Sequence, residues 1–201
     1  TVSEVGGKLV FDPGTDFDYL PDGEEQLVTF TYDVKDDSGA SNDISAPATV
    51  TILVKGANDP ALISVEQGDD DSGFVTEDVN PTLAGFIVTD GTLTVSDPDE
   101  GEDKFDTTVT PTGTVLGTLT IDENGNWDYK IDNTLTAVQS LGEYDANDSS
   151  TYFTETFTVK SLDGTDSQEI VITVKGANDP ADITVEQGDD DSGFVTEDVN
   201  P

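Results

Sequence analysis

The chain has 201 residues, and 7 lysines against 44 aspartates and glutamates give it a formal net charge of −37; it contains no histidine and no cysteine. So acidic a chain is not expected to bind nucleic acid or an anionic membrane surface directly, because both need clustered basic side chains. Without histidine and cysteine it can form neither disulfides nor thiolate or imidazole metal sites. A chain with this net charge is either disordered or folded with bound cations that neutralise it.

Apolar and polar residues alternate along the whole chain, which predicts β-strands. The predicted strands are residues 8–11, 27–34, 49–54, 62–65, 74–76, 92–95, 118–121, 127–131, 153–159 and 170–174. Clusters of Gly, Asn, Asp and Pro separate them. About seven short strands for each 120 residues are typical of an immunoglobulin-like sandwich. The expected fold class is therefore all-β.

Three local features refine this prediction. The sequence ENGN, residues 123–126, predicts a hairpin turn of a primed type, which Asn-Gly favours. Leu135, Val138 and Leu141 recur every three residues and predict one helical turn within 134–141. Trp127 and Tyr129 lie two residues apart in an alternating strand, so the single tryptophan is expected in the core.

A repeat organises the chain. Residues 54–81 (VKGANDPALISVEQGDDDSGFVTEDVNP) recur at 174–201, an offset of 174 − 54 = 120, with only Leu62/Asp182 and Ser64/Thr184 different. Residues 1–55 parallel the second half of the repeat in a diverged form, as GKLVFDPGTDFDY and GTLTIDENGNWDY show. We therefore expect 1–55 to be the C-terminal part of a diverged repeat, 56–175 a complete repeat, and 176–201 the start of the next.

The acidic residues are bunched in turns, which predicts calcium sites, since calcium takes about six to eight oxygen ligands. They lie in the GANDP linkers, the TEDVN turn, the DPDEGED turn and two loops that follow strands. The candidate ligands are Asp37, Asn58, Asp59, Glu77, Asp78, Asp97, Asp99, Glu100, Asp163, Asn178 and Asp179. The second TEDVN copy offers Glu197, Asp198 and Asn200. The alternative is that these turns are simply solvated.

The run GTLTVSDPDEGEDKF, followed by GTLTIDENGNWDYKIDN, TFTVKSLDGT and VITVKGANDP, resembles the VCBS repeat family of large bacterial RTX-type adhesins. Residues 1–55 resemble a cadherin-like repeat, and GANDP is similar to the Asn-Asp linker of cadherins. The resemblance implies tandem immunoglobulin/cadherin-like β-sandwich domains with calcium (Ca2+) at their junctions. It also implies a rigid spacer on the bacterial cell surface, used in attachment or biofilm formation and secreted by a type I system.

Three other interpretations compete with the spacer. One is self-association, in which strands of a neighbouring chain complete the partial domains. An enzyme would have to rely on a carboxylate pair, as glycosidases do, but the core position expected for Trp127 leaves no obvious sugar platform. A calcium-dependent carbohydrate- or ligand-binding module is the stronger alternative, with specificity in the loop 143–150. Near-identical repeats favour the spacer, because added copies increase reach without new specificity. The expected partners are calcium ions and neighbouring repeats of the same chain, and no catalytic residue is expected.

Overall fold

The structure, a computed structural model, describes residues 1–41, 43–181, 183–184 and 192–193. The N-terminal part contains β1 (Val2–Val5), β2 (Lys8–Phe11), β3 (Glu25–Tyr32) and β4 (Ala48–Lys55). The strands that follow are β5 (Leu62–Ser64), β6 (Ser72–Thr76), β7 (Phe86–Thr92), β8 (Thr94–Ser96), β9 (Phe105–Pro111), β10 (Thr118–Ile121), β11 (Asn126–Asp132), β12 (Tyr152–Ser161) and β13 (Ser167–Lys175). One helical turn, α1 (Thr136–Gln139), lies between β11 and β12, as predicted. No helix among the described residues is long and apolar enough to cross a membrane.

Two sheets enclose the main core. One has the strand order β10-β11-β7 and the other β6-β13-β12-β9, while β5 pairs with β8. The strands pair antiparallel except β6 and β13, which run parallel. The inner faces of both sheets contribute to a single buried cluster, as expected of a sandwich. The predicted all-β sandwich class is therefore confirmed.

Aromatic residues fill the centre of this core. Trp127 and Tyr129 of β11 are each 1% exposed, which confirms the predicted core position of Trp127. The Tyr129 ring meets the Phe157 ring edge-on, with 5.9 Å between centroids. Gly91 of β7 makes room for Trp127, because a Cβ at this glycine would lie 2.4 Å from the indole ring.

The N-terminal part has its own strand pairs. β1 pairs with β2, and β3 pairs with β4. The register of β3 and β4 places Glu25 opposite Lys55, as the register of β12 and β13 places Tyr152 opposite Lys175. This correspondence agrees with the sequence parallel, while the division of the chain at residues 55 and 175 stays a prediction.

The structure differs from the predictions in two respects. It contains three strands that the alternation did not reveal (β1, β7 and β9), and it divides the predicted strand 92–95 at Leu93, whose N–H donates to the Gly125 carbonyl. The hairpin between β10 and β11 forms, but the predicted primed turn is wrong. Gly125 alone in this turn has a positive φ, +85°, because the Asp122 carboxylate closes it by accepting the N–H groups of Asn124 and Asn126.

Candidate metal centre

Three segments of the chain bring acidic side chains together at one end of the sandwich. They are the linker 56–60, the acidic turn 97–103 between β8 and β9, and the loop 162–166 between β12 and β13. Carboxylate oxygens of Asp97, Glu102 and Asp163 all lie within 4.8 Å of one another. With Asp99, which is hydrogen-bonded to the same segments, these residues are called the junction cluster below.

The backbone of the acidic turn sets the positions of its carboxylates. The Asp99 N–H donates to Asp97 Oδ1 at 2.9 Å, and the Glu102 N–H donates to the Asp99 carbonyl at 3.2 Å. Gly101 between them has a φ of +87°, a conformation that few other residues adopt. The turn therefore curls back on itself, and Glu102 joins Asp97.

The linker and the β12–β13 loop hold the other side of the cluster. The Asp59 N–H donates to Asp99 Oδ2 at 2.8 Å, and Asn58 Nδ2 donates to Asp163 Oδ2 at 3.3 Å. The Ser161 hydroxyl, fully buried, donates to Asp163 Oδ1 at 2.6 Å. Residues 105 positions apart in the chain are thus fixed against each other.

Two carboxylate oxygens of the junction cluster are buried with no hydrogen-bond partner, Asp97 Oδ2 and Asp99 Oδ1. The Asp99 residue is 1% exposed. The ion pairs of the described residues join Lys35 to Asp43, Lys55 to Glu25 and Lys104 to Glu123, and none involves the cluster. Burying a charged oxygen without a partner is costly. An all-oxygen donor set of this kind fits a hard cation such as calcium, and does not suit zinc or copper.

The pKa values in the cluster reflect burial and the repulsion between its negative charges. Burial raises the pKa of Asp97, and the charges of Asp163, Asp99 and Asp59 raise it further. Burial and the neighbouring aspartates likewise raise the pKa of Glu102. Burial acts in the same direction on Asp163, but hydrogen bonds from Ser161, Thr165 and Asn58 outweigh it and lower the pKa to about 2. Asp163 therefore loses its proton more readily than an ordinary aspartate, whereas Asp97 and Glu102 hold their protons more tightly than ordinary carboxyl groups.

A second acidic set lies beside the other linker, residues 176–180. Glu77 is fully buried, its Oε1 accepts the Ala177 N–H at 2.8 Å, and its Oε2 has no partner. Burial raises the pKa of Glu77, and the charges of Asp179 and Asp78 add to this effect. Asp78 is oriented by Asn133 Nδ2, which donates to its Oδ1 at 2.7 Å. The C-terminal set, Glu77, Asp78 and Asp179, therefore has the same feature as the junction cluster, an orphaned buried carboxylate oxygen.

The two sets lie at opposite ends of β13. Asp163 precedes this strand, and Asp179 follows it after the linker begins. Nine residues in extended conformation span about 27 Å. Each end of the sandwich therefore has acidic oxygens next to a GANDP linker.

The structure distributes the predicted ligands unevenly. It gathers Asn58, Asp59, Asp97, Asp99 and Asp163 at one end, and Glu77, Asp78 and Asp179 at the other. Asn178 donates from Nδ2 to the Asp179 carbonyl at 3.4 Å, much as Asn58 does to the Asp59 carbonyl at 2.9 Å.

Two predicted ligands lie apart from these sets, and one member of the junction cluster, Glu102, is not among the predicted ligands. The Glu100 side chain is exposed, and Asp37 lies in an exposed loop after β3. Glu197, Asp198 and Asn200 lie outside the described residues. The DPDEGED turn offers Glu102 together with Asp97 and Asp99, although Glu102 is not among the predicted ligands. The glycine before it was the signal that the chain would turn there.

Comparisons with known proteins give similarity to solved structures but not to known sequences. No protein-family model matches the chain, and no curated protein sequence matches it. Among solved structures, the chain is similar to mouse clustered PcdhgC3 EC1-3, with 13% sequence identity and a TM-score of 0.39. The match covers 76% of this chain and 42% of that one, so the chain spans less than half of that structure.

Proposed function

We propose that this chain is a calcium-rigidified spacer segment of a large bacterial cell-surface adhesin that acts in attachment or biofilm formation outside the cell. One observation carries the calcium part of this proposal. Asp97 Oδ2 and Asp99 Oδ1 are buried without hydrogen-bond partners, and the lysine ion pairs of the described residues include neither Asp97 nor Asp99, nor Glu102 or Asp163 beside them. The adhesin context comes from the resemblance of the repeat, and the role is mechanical, not catalytic.

The junction cluster would act by joining the linker to the domain that follows it. The ion would be held by Asp97, Asp99, Glu102 and Asp163. It would supply the positive charge that this cluster lacks. Asp59 and Asn58 already bond to Asp99 and Asp163, so an ion held there also fixes the linker. Without it, like charges within about 5 Å repel one another and favour a looser junction.

Calcium binding can supply enough free energy to matter for the stability of a chain without cysteine. Extracellular calcium modules bind with dissociation constants of about 10⁻⁴ to 10⁻³ M. At about 10 mM calcium and a dissociation constant of about 10⁻⁴ M, each site stabilises the folded state by about 2.7 kcal/mol. This equals a typical disulfide, about 2–4 kcal/mol. Calcium could therefore replace disulfides outside the cell.

The test compares Asp97→Asn with Asp128→Asn, which removes the same charge from an exposed position on β11. In calcium-free buffer, Asp97→Asn should melt at the same or a higher temperature than the wild type, because it removes a buried, unpaired charge. In calcium it should melt lower, because an ion ligand is lost. Asp128→Asn should follow the wild type in both conditions.

Calorimetric titration and X-ray scattering complete this test. The wild type should bind calcium and show a narrower distribution of shapes when it does. A wild-type chain whose melting temperature and scattering are the same in calcium and in chelator would contradict the proposal. So would an Asp97→Asn variant that keeps the full calcium response.

A calcium-dependent carbohydrate-binding module is the second candidate, favoured by exposed aromatic side chains near the second linker. Phe74 is 60% exposed and Tyr144 is 40% exposed. Lys175 Nζ lies 3.8 Å from the centroid of the Phe74 ring and 4.6 Å from that of Tyr144. The lysine covers ring faces that a sugar would stack on, which favours the spacer. Saturable, calcium-dependent binding to a glycan array, lost in Phe74→Ala, would favour the module instead.

A further inference from the structure

A turn of the N-terminal part, residues 19–24, contacts the junction and is called the docking turn below. The Glu100 N–H of the acidic turn donates to the Tyr19 carbonyl at 2.9 Å. The Gly56 N–H of the linker donates to the Glu24 carbonyl, also at 2.9 Å. Leu20 is buried, with 8% exposure. These contacts use main-chain groups and an apolar side chain, so they require neither a carboxylate nor a cation.

Gly56 is the residue that permits this contact. A Cβ at position 56 would lie 2.1 Å from the Pro21 carbonyl oxygen and 2.3 Å from the Leu20 carbonyl oxygen. The neighbours are backbone atoms, which cannot rotate away as a side chain can. Any larger residue must therefore displace the docking turn from the linker.

The docking turn contacts the segments that form the junction cluster. Glu100 directly follows Asp99 in the chain, and Gly56 lies two residues before Asn58. Asp22, within the docking turn, is close enough for its charge to contribute to the raised pKa of Glu102. The turn therefore helps to fix the linker and the acidic turn relative to each other.

The same contact recurs at the other linker, although the sequences differ. The Gly176 N–H donates to the Thr151 carbonyl at 2.9 Å, and a Cβ at Gly176 would lie 2.1 Å from the Gly142 carbonyl oxygen. Leu141 and Gly142 thus correspond to Leu20 and Pro21. The preceding turn is longer here, with nine residues between Leu141 and Thr151 against three between Leu20 and Glu24. A contact kept across such different turns is a feature of the module.

We propose that the docking turn, seated on Gly56, positions the linker and the acidic turn for cation binding before any cation is bound. This inference rests on the proposed calcium site. Gly56 and Leu20 are positioning residues, since neither has a side-chain oxygen that could bind the cation. A cation then strengthens an existing contact between the two parts of the chain. Calcium affinity should follow the fraction of molecules in which the turn is docked.

The first test concerns the calcium-free chain. Amide hydrogen exchange by NMR should show the Gly56 and Glu100 N–H groups protected in chelator. Gly56→Ala should abolish this protection while the amides of β12 and β13 stay protected. Rapid exchange of both N–H groups in the calcium-free wild type would overturn the inference.

The second test is a calcium titration followed at the amides of Asp59, Asp99 and Leu162. Gly56→Ala should raise the apparent dissociation constant about tenfold, if docking falls from complete to about one molecule in ten. Leu20→Ala, which removes only the buried anchor, should weaken binding in the same direction. Ala57→Ser, at the next and exposed linker residue, should bind as the wild type does.

The outcomes separate the two proposals. Calcium binding by the wild type with an unchanged affinity in Gly56→Ala and Leu20→Ala overturns the docking inference and leaves the calcium spacer intact. A wild type that shows no calcium response at these amides overturns both.

Discussion

Glu77 and Asp97 are carboxylates that the fold buries without completing their hydrogen bonds. Glu77 Oε2 and Asp97 Oδ2 have no partner, and burial raises the pKa of both groups. Each residue is tied down by one backbone N–H, from Ala177 and Asp99 respectively. The other oxygen of each carboxylate is therefore held in place and remains available to a cation.

These raised pKa values predict the pH dependence of the calcium-free chain. Glu77, Asp97 and Glu102 bind protons more tightly when folded. They therefore contribute stability that is complete below the ordinary carboxyl pKa, about 4, and is lost as pH rises through the raised values. As the pH falls from about 7 through the raised pKa values, these groups should make the calcium-free protein more stable.

Thermal melting of calcium-free protein at several pH values checks this prediction. The lowered pKa of Asp163, about 2, acts in the opposite direction, but only as the pH falls through about 4 and below. With calcium present the dependence should reverse, because protons and calcium compete for the same oxygens. In the calcium-free protein, Glu77→Gln should show a smaller rise in melting temperature as the pH is lowered. A melting temperature that falls from pH 7 to pH 5 without calcium would contradict this account.

At the scale of elements, the sequence predicted the strands better than the site. Alternation located ten strand segments, because successive side chains of a strand point to opposite faces of its sheet. It did not reveal β7, whose residues Phe86–Thr92 include Gly91, a position determined by the approach of Trp127. The sequence could not show that Glu102, and not Glu100, joins the junction cluster, because this depends on the backbone conformation at Gly101. The contact between Asn58 and Asp163 depends on the completed fold.

The β10–β11 hairpin gives a prediction of its own. Gly125 has a φ of +85°, and a Cβ there would lie 2.1 Å from the Leu93 carbonyl oxygen. Gly113 has a similar φ, +79°, but open space around it. Gly113→Ala should destabilise the fold by about 1–2 kcal/mol, the cost of the left-handed conformation alone. Gly125→Ala should cost at least about 2 kcal/mol more, because β8 or the hairpin must also move.

Urea unfolding of the two alanine variants, with tryptophan fluorescence as the signal, measures this difference. Trp127 lies in the same hairpin and is 1% exposed, so its emission reports the loss of this packing. Equal losses of stability in the two variants would mean that the close approach to Leu93 is unimportant.

At the scale of the whole molecule, charge is the dominant property. Seven lysines face 44 acidic residues, and three lysines are already paired with glutamate or aspartate. The excess of negative charge disfavours the compact state through self-repulsion. Repulsion between exposed groups is screened by salt, with a Debye length of about 30 Å at 0.01 M and about 10 Å at 0.1 M.

Calcium-free protein should therefore melt at a higher temperature as potassium chloride is raised from about 0.01 to about 0.5 M. In saturating calcium the same salt series should have a smaller effect, because bound ions already neutralise part of the charge. Differential scanning calorimetry of both series measures the two slopes. A calcium-free chain whose melting temperature does not respond to salt would show that self-repulsion is not a major cost.

The parallel pairing of β6 with β13 has a consequence for a molecule under tension. β6 lies early in the span between the two GANDP linkers and β13 lies at its end, and Ser72–Thr76 pair with Val171–Lys175 in a continuous register. When the linkers are pulled apart, parallel strands slide against each other along their length. The five residue pairs are then loaded together in shear, whereas a hairpin pulled from its open end would unzip one pair at a time. In the proposed spacer, tension between the linkers would therefore have to break these five pairs together.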